Sequence, residues 1–402
     1  MNVPKLRFKE FNDEWSFIEL SKISSDISYG MGLASKEYDG VNKYIRITDI
    51  DETTNKYSNK DIVSPDGVLE DKYLVNKNDI LFARTGASTG KTYLYDEKDG
   101  KLYFAGFLIR ANIINHDANF IFQQTKTNKY NKWVKIMSMR SGQPGINSQE
   151  YGSYKFSITS PEEEEKISKT LNLLDKKIEL QTKKIEDLKL FKKGLDQSIF
   201  NNKTLFKQEL FKNLFDSDGG TALEEYISKD GTHKIISIGN YSTNGLYIDN
   251  GQRITLNDKT KTKLLDKDNL VMILNDKTIS GDIIGSTILI DKDNHYIYNQ
   301  RSQKLICKNI DPKYAWCFLN SNTFRKRIFQ LSQGGTQIYV NFPTIEKETI
   351  NIPKDENISN LIINSIFSIY KKIELENDKL DKLQQLKKWA YAKYVCINPF
   401  LL

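Results

Sequence analysis

The pentapeptide KKIEL at residues 176–180 returns at 371–375, and its surroundings decide how the chain is read. Around the first copy, Ile167, Leu171, Leu174, Ile178, Gln181, Ile185, Leu188, Lys192, Leu195 and Ile199 fall alternately four and three residues apart. Around the second, Ile362, Ile366, Ile369, Ile373, Glu376, Leu380, Leu383, Lys387, Ala390 and Tyr394 keep the same spacing. Such spacing lays one stripe along one face of a helix, a heptad seam, and the polar breaks fall at matching places in both copies. The start of the first helix is marked by Ser160 as a cap, Pro161 in the first turn, a run of acids at 162–165, and Glu163 at capping-box distance from Ser160. A helix of about 38 residues is roughly 57 Å long and cannot leave its stripe in water, so the two should pair. An antiparallel pairing is expected, with Gln181 facing Lys387 and Lys192 facing Glu376, because a buried polar group needs a partner. That register also brings Ile185 near Leu383 and Leu188 near Leu380, and two like copies paired this way imply a pseudo-twofold axis with one globular part held at each end.

Outward from the helices, the repeat extends through the rest of the chain at an offset between 190 and 195. YIRITDI (44–50) resembles KIISIGNY (234–241), NDILFA (78–83) answers DNLVMI (268–273), and TGKTYLY (89–95) answers IGSTILI (284–290). SGQPGIN (141–147) has a looser counterpart in SQGGTQIYVN (332–341). Each copy reads as short strands and turns followed by one long helix, an α+β class. The expected division is 1–159 for the first globular domain, 160–202 for the first long helix, 203–352 for the second domain, and 353–402 for the second helix and tail. Residues 201–233 offer no counterpart to the tryptophan of NDEWSFIEL (12–20), which blurs the entry to the second copy.

The 402 residues are 39% hydrophobic with 8 prolines, a composition that folds. Lys plus Arg number 59 against 52 Asp plus Glu, a net charge of +7 that fits a polyanionic partner and equally an AT-rich genome. No stretch approaches the ~18 apolar residues of a membrane span, and the first residues lack the apolar core of a secretory signal, so a cytoplasmic protein is expected. Cys307, Cys317 and Cys396, and His116, His233 and His295, have neither disulfide nor metal-ligand spacing.

ARTGASTGKT (83–92) imitates a nucleotide-binding loop, yet only three residues separate Gly86 from Gly90 where four are needed. A β-rich TYLY follows instead of a helix, and the position matching Lys91 is Ser286. The unit therefore reads as strand, glycine turn, strand. NPF (398–400) and DPKYAW (311–316) lack the second proline of an adenine-methyltransferase motif. PDGVLEDK (65–72) spells a nuclease-like series of acids, but SPDG is a turn signature. These absences point to a chain without catalysis of its own.

The layout of domain, heptad helix, domain, heptad helix, with NDILFARTGASTGKT, SGQPGINSQEYGSYKFSITSPEEEEKI and LLDKKIEL, resembles the DNA-specificity subunit of bacterial type I restriction-modification enzymes over essentially the whole chain. The resemblance implies two homologous target-recognition domains, each reading half of a split DNA site. It also implies helices that set the half-site separation and dock two methyltransferase subunits, with restriction (motor-nuclease) subunits joining for cleavage. S-adenosylmethionine, ATP and Mg²⁺ would then sit on the partners and none on this chain. Base-reading residues are sought where the copies diverge. The second copy carries five extra residues in LNDKTISGDIIG (274–285), where the first has RTGASTG (84–90). Arg84, Ser88 and Lys91 are expected to touch DNA in the first domain, and Asn275, Lys277 and Thr278 in the second. Arg140 with Gln143, and Gln333 with Gln337 and Tyr339, flank the other glycine turns and come second. Arg110 and Arg301 read equally well as structural arginines. Two alternatives remain: a coiled-coil scaffold without DNA affinity, which would assemble independently of salt, and a stand-alone DNA-modifying enzyme, which would act when purified alone.

Overall fold

The computed structural model of the chain describes residue 4, residues 6–139 and residues 144–395. It divides into two compact units, residues 1–181 with 379–402, and residues 182–378.

Within the first unit the run DILFA becomes the strand Asp79–Ala83, buried at every residue. It sits between Leu108–Ile113 and Thr92–Leu94, and Ser24–Tyr29 completes a four-stranded antiparallel sheet. Because side chains alternate along a strand, Ile80 and Phe82 enter the core beneath the helices Ala118–Gln124 and Ser148–Ser153, while Leu81 and Ala83 enter a second core with Tyr93 and Phe104. Ile80 lies opposite Leu94, so the GKT stretch joins two neighbouring strands and opens no helix. A parallel pair, Lys43–Ile45 with Leu102–Phe104, and a closing pair, Ser16–Glu19 with Lys155–Ile158, finish the domain.

The second unit repeats this plan. Phe215–Gly219, Ser302–Cys307, Leu270–Ile273 and Thr287–Leu289 lie in the same strand order as their counterparts. His233–Ile236 runs parallel to Tyr296–Tyr298, and Phe206–Leu210 pairs with Thr349–Pro353. The closing strand is therefore present although its tryptophan is not; Phe206, stacked on Phe200 at 6.1 Å, takes up the packing. Gly90 and Gly285 correspond, both at positive φ (+89° and +71°), and a Cβ on either would lie within 2.9 Å of a helix side chain, Val134 or Ile328. Both positions thus demand glycine.

The long helices are Pro161–Phe200 and Glu356–Tyr394. None of the seam residues named above is exposed. In the first unit Ile167 and Leu171 share a core with Ala390 and Val395, and Asp175 meets Lys387 at 2.5 Å. In the second, Phe200 packs with Ile362 and Ile366, and Lys184 meets Glu376 at 2.9 Å. As one helix ascends the other descends, so within each unit the segments run antiparallel.

The polar register differs from the expected one. Lys192 binds Asp196 at 2.9 Å and lies 4.8 Å from the Tyr370 ring, not against Glu376, and Lys387 takes Asp175, not Gln181. In each unit the facing residue lies six positions before the expected one, Asp175 for Gln181 and Tyr370 for Glu376, so the helices pair in a register slipped by nearly two turns. The two units do this with the same register and exchanged parts. Lys387 has an acid on the facing helix, Asp175, and an aromatic one turn on, Tyr391, whose ring lies 5.6 Å away. Lys192 has the aromatic, Tyr370, facing it and the acid, Asp196, one turn on.

The start of the first long helix is anchored by two fully buried glutamates. Glu163 accepts both arms of Arg7 (2.7 and 2.6 Å), the Trp15 indole and the Thr159 hydroxyl, instead of closing a box with Ser160. Glu164 accepts the Thr159 and Asp117 amides and meets His116 at 3.0 Å. Burial raises the Glu164 carboxyl above its ordinary value, and these bonds oppose the rise.

Lys126 stands in the first unit 3.9 Å from Asp175 and 4.3 Å from the Phe122 ring. Burial pushes its ammonium down from 10.5 to about 8, Asp175 opposes this, and Lys387 and Lys56 add to it. Between those values the unfolded chain holds the proton and the folded one sheds it, so stability climbs as pH rises through that window and the penalty is complete below it. Lys126→Met should therefore stabilise the protein at about pH 7 by on the order of 1–3 kcal/mol and flatten the climb toward about pH 10. Urea unfolding at the two pH values checks this; no gain at the lower one contradicts it.

Candidate nucleic-acid interface

Where the central strand of the first sheet ends, three backbones meet side by side. The Arg84 amide donates to the Phe107 carbonyl at 3.0 Å, and the Arg84 carbonyl accepts from the Ile146 amide at 2.9 Å. Thr85 bridges Gly145, and the Gly86 amide donates to Pro144 at 3.0 Å. The glycine turns at 84–91 and 144–146, far apart in sequence, thus form one lip.

The second unit builds the same lip. The Leu274 amide donates to the Arg301 carbonyl at 2.8 Å, and the Leu274 carbonyl accepts from the Val340 amide at 2.9 Å. Asn275 pairs with Tyr339, which exchanges two backbone bonds with Gln333 (2.8 and 2.9 Å). Of the residues expected to read DNA, Asn275, Gln333 and Tyr339 are therefore brought together, as are Arg84 and Ser88. Arg140 and Gln143 lie outside the described residues.

Side-chain environments separate these candidates. The Arg84 guanidinium lies 4.8 Å from the Tyr29 ring, and among the described residues its only side-chain hydrogen bond is a 3.4 Å contact to the Gly106 carbonyl. Most of its donor fork is left for a ligand. Ser88 sits in the turn Gly86–Ser88, where its carbonyl accepts from the Lys91 amide. The Lys91 side chain is only 19% exposed and ion-paired to Glu52 at 2.7 Å, a placement that braces the turn. Lys277, Gln333 and Gln337 are exposed, as is Tyr339 at 41%.

The five-residue insertion has an internal frame that sequence reading did not supply. Buried Asp276 accepts from the Thr278 amide and hydroxyl (2.9 and 2.8 Å) and from the Ile283 amide (2.8 Å). Arg325 donates to the carbonyls of Ile284, Asp282 and Thr243 at 2.7, 2.9 and 3.3 Å, and burial lowers its guanidinium to about 10. Thr278 is accordingly a loop-forming residue, and Asp-Lys-Thr was the readable sign, since an aspartate two residues ahead of a hydroxyl makes a local turn. Arg110 is structural, bonded to Lys72, Leu74 and Asp26, but Arg301 is not. Its side chain is exposed and has no hydrogen bond, ion pair or ring contact among the described residues.

The motifs that imitate enzymes have local explanations. Asp311 caps the helix Pro312–Leu319, accepting from the Lys313 and Tyr314 amides, which accounts for Asp-Pro in DPKYAW. NPF lies outside the described residues. Glu70 pairs with Lys72 at 2.7 Å and Asp66 approaches Lys36 at 4.0 Å, so the acids of PDGVLEDK answer neighbouring lysines. Among the described residues no group of three or more His, Cys, Asp or Glu is placed to hold a metal, and no helix is long and apolar enough to cross a membrane.

Comparison with known proteins gives four concordant findings. The family model described as type I restriction modification DNA specificity domain matches twice, at residues 12–190 and 207–385. The MjaVIII type I restriction enzyme specificity subunit of Methanocaldococcus jannaschii is 25% identical over 346 residues, 80% of this chain and 79% of that one. The crystal structure of a type I S subunit from M. genitalium superposes with a TM-score of 0.65 at 15% identity, covering 98% of this chain and 99% of that one. A chain from a structure titled for complex assembly and conformational transition of the type I restriction-modification system follows at TM-score 0.55 and 12% identity, covering 94% and 97%. These likenesses establish the fold.

Asp276→Ala should free the inserted loop and cost about 1–3 kcal/mol of local stability, because three donors lose their acceptor. Hydrogen exchange at 276–283 should quicken while 79–94 stays unchanged; unaltered exchange in the loop would contradict the role given to Asp276.

Proposed function

We propose that this chain, which belongs to the type I restriction-modification DNA specificity family, reads a split double-stranded site, one half through each of its two lips. As the specificity subunit it supplies sequence recognition to the complex, and in its family that subunit is generally the non-catalytic member. The observation that carries the bipartite reading is the pair of lips. Identical backbone bonds at Phe107–Arg84–Ile146 and Arg301–Leu274–Val340 present different side chains, which two readers of different half-sites require. Arginine suits guanine and asparagine or glutamine suits adenine in the major groove, while exposed lysines such as Lys277 position the backbone.

The partners follow from the same duplication. On the long helices the first unit exposes Leu180 (58%) and Leu386 (45%), and the second exposes Leu375 (51%) and Phe191 (61%) at the corresponding positions. Each unit therefore exposes apolar side chains at the same two helix positions, which supports docking of two methyltransferase subunits, with restriction subunits completing the assembly. S-adenosylmethionine, ATP and Mg²⁺ belong to those partners in this reading, and the complex works on DNA in the cytoplasm.

Co-expression with the cognate methyltransferase subunit, followed by genome-wide mapping of modified bases, should give a split motif with one modified adenine per half. Binding to that motif should weaken steeply with salt, log K falling by about 0.9 per phosphate neutralised for each log unit of salt. Arg84→Ala should relax one position of one half by roughly 1–3 kcal/mol. An uninterrupted motif, or salt-independent binding, would overturn the reading.

A further inference from the structure

The two lips invite comparison at the positions where their backbones coincide. Arg84 and Leu274 occupy the strand end, each donating its amide to the turn beside it and accepting from the third backbone. Phe107 and Arg301 occupy that turn. The first lip thus carries arginine at the strand end and an apolar residue, 59% exposed, at the turn. The second carries a half-buried leucine at the strand end and an arginine at the turn. One guanidinium and one apolar side chain are kept, and their places are exchanged.

The Arg301 turn is braced on every side except at its arginine. The Asn299 and Gln300 side-chain amides both donate to one Glu224 oxygen, at 3.0 and 2.6 Å, and the Asn299 side-chain carbonyl accepts from the Leu223 backbone amide at 2.9 Å. Gly220 presses against the turn so closely that a Cβ there would lie 2.0 Å from the Asn299 carbonyl oxygen. Arg301 itself is held at φ +68°, a conformation a side-chain-bearing residue adopts at a cost. The Glu224 carboxylate is spent on the neutral side-chain amides of the two residues before Arg301, while the arginine has no partner among the described residues. A rigid turn that displays an unneutralised guanidinium is pre-organised for a ligand outside the protein.

We propose that Arg301 is the base-reading arginine of the second recognition domain, contacting a guanine edge from the turn as Arg84 does from the strand end. The inference rests on the DNA-reading function of the preceding subsection and adds a specificity-determining residue to it. Transposition gives it a directional content: the guanidinium-read base and the position met by the apolar neighbour occur in opposite order in the two lips. Leu274 and Phe107 supply the apolar contact, which favours a thymine methyl.

The test uses the full chain assembled with its methyltransferase subunit, with Arg301→Gln and Arg301→Lys beside the wild type. Modified-base mapping should show both variants relaxed at one position in the half-site that Arg84→Ala leaves intact, with unchanged melting temperature. In binding to duplexes altered at that base pair, the wild type should discriminate by about 5- to 150-fold, and both variants should lose most of this. Lysine keeps the charge but lacks the two-donor fork, so a uniform loss of affinity in Arg301→Gln with no position relaxed, restored by Arg301→Lys, would assign a phosphate contact and overturn the proposal. An unchanged motif in Arg301→Gln, or relaxation in the half governed by Arg84, would also overturn it. A wild type without a split motif would instead defeat the underlying reading, an outcome visible before any variant is made.

Discussion

Each long helix carries an apolar stripe on a rod too long for one small domain to cover, and burying that stripe constrains everything else. Because the partner is a second copy of the same helix running the other way, each unit is built from the beginning of its own helix and the end of the other's. The first unit owns Ile167 and Leu171 and receives Ala390 and Val395; the second owns Ile362 and Ile366 and receives Phe200. Neither half of the sequence therefore completes its own core. Apolar burial of this kind is non-directional, so the polar residues between the stripes must prevent the rods from sliding.

They do so by conserving a composition rather than a position. Around Lys387 stand Asp175 and Tyr391; around Lys192 stand Tyr370 and Asp196, with acid and aromatic exchanged. The lips obey the same logic, with arginine and an apolar residue exchanged between strand end and turn. Elsewhere the copies have parted company. The first fixes its long helix with buried Glu163 bound to Arg7 and Trp15, while the second packs Trp316 against Phe367 at 5.0 Å and Tyr370 at 4.9 Å. Two scaffolds equivalent in backbone and independent in side chains can hold different surfaces without disturbing each other.

How much of this could be read from the residues depended on how local each signal was. The helices, their seam and the strand-turn-strand nature of the GKT stretch follow from spacing that any short window displays. Register did not, because charge matching chose Glu376 for Lys192, whereas packing sets Tyr370 opposite it and its acid, Asp196, comes from the same helix. Lys91 looked accessible because glycine turns usually are, and only the fold shows its stem covered and Glu52 beside it. Arg301 stayed ambiguous because its match with Phe107 is set by the turn's backbone bonds, whereas the copies drift between offsets of 190 and 195 on either side of the insertion. The function could be reached through the duplicated plan, which survives divergence better than any single residue does.

The account stands on two lips that engage DNA separately, each through its own side chains. Hydrogen exchange of the assembled complex on three duplexes, one cognate and two with one half-site scrambled, tests that most directly. Segments 84–91 and 104–108 should slow only when their half-site is intact, and segments 274–285 and 299–303 only when the other is. Loss of protection at both lips on scrambling either half, or no protection at either lip on the cognate duplex, would contradict it.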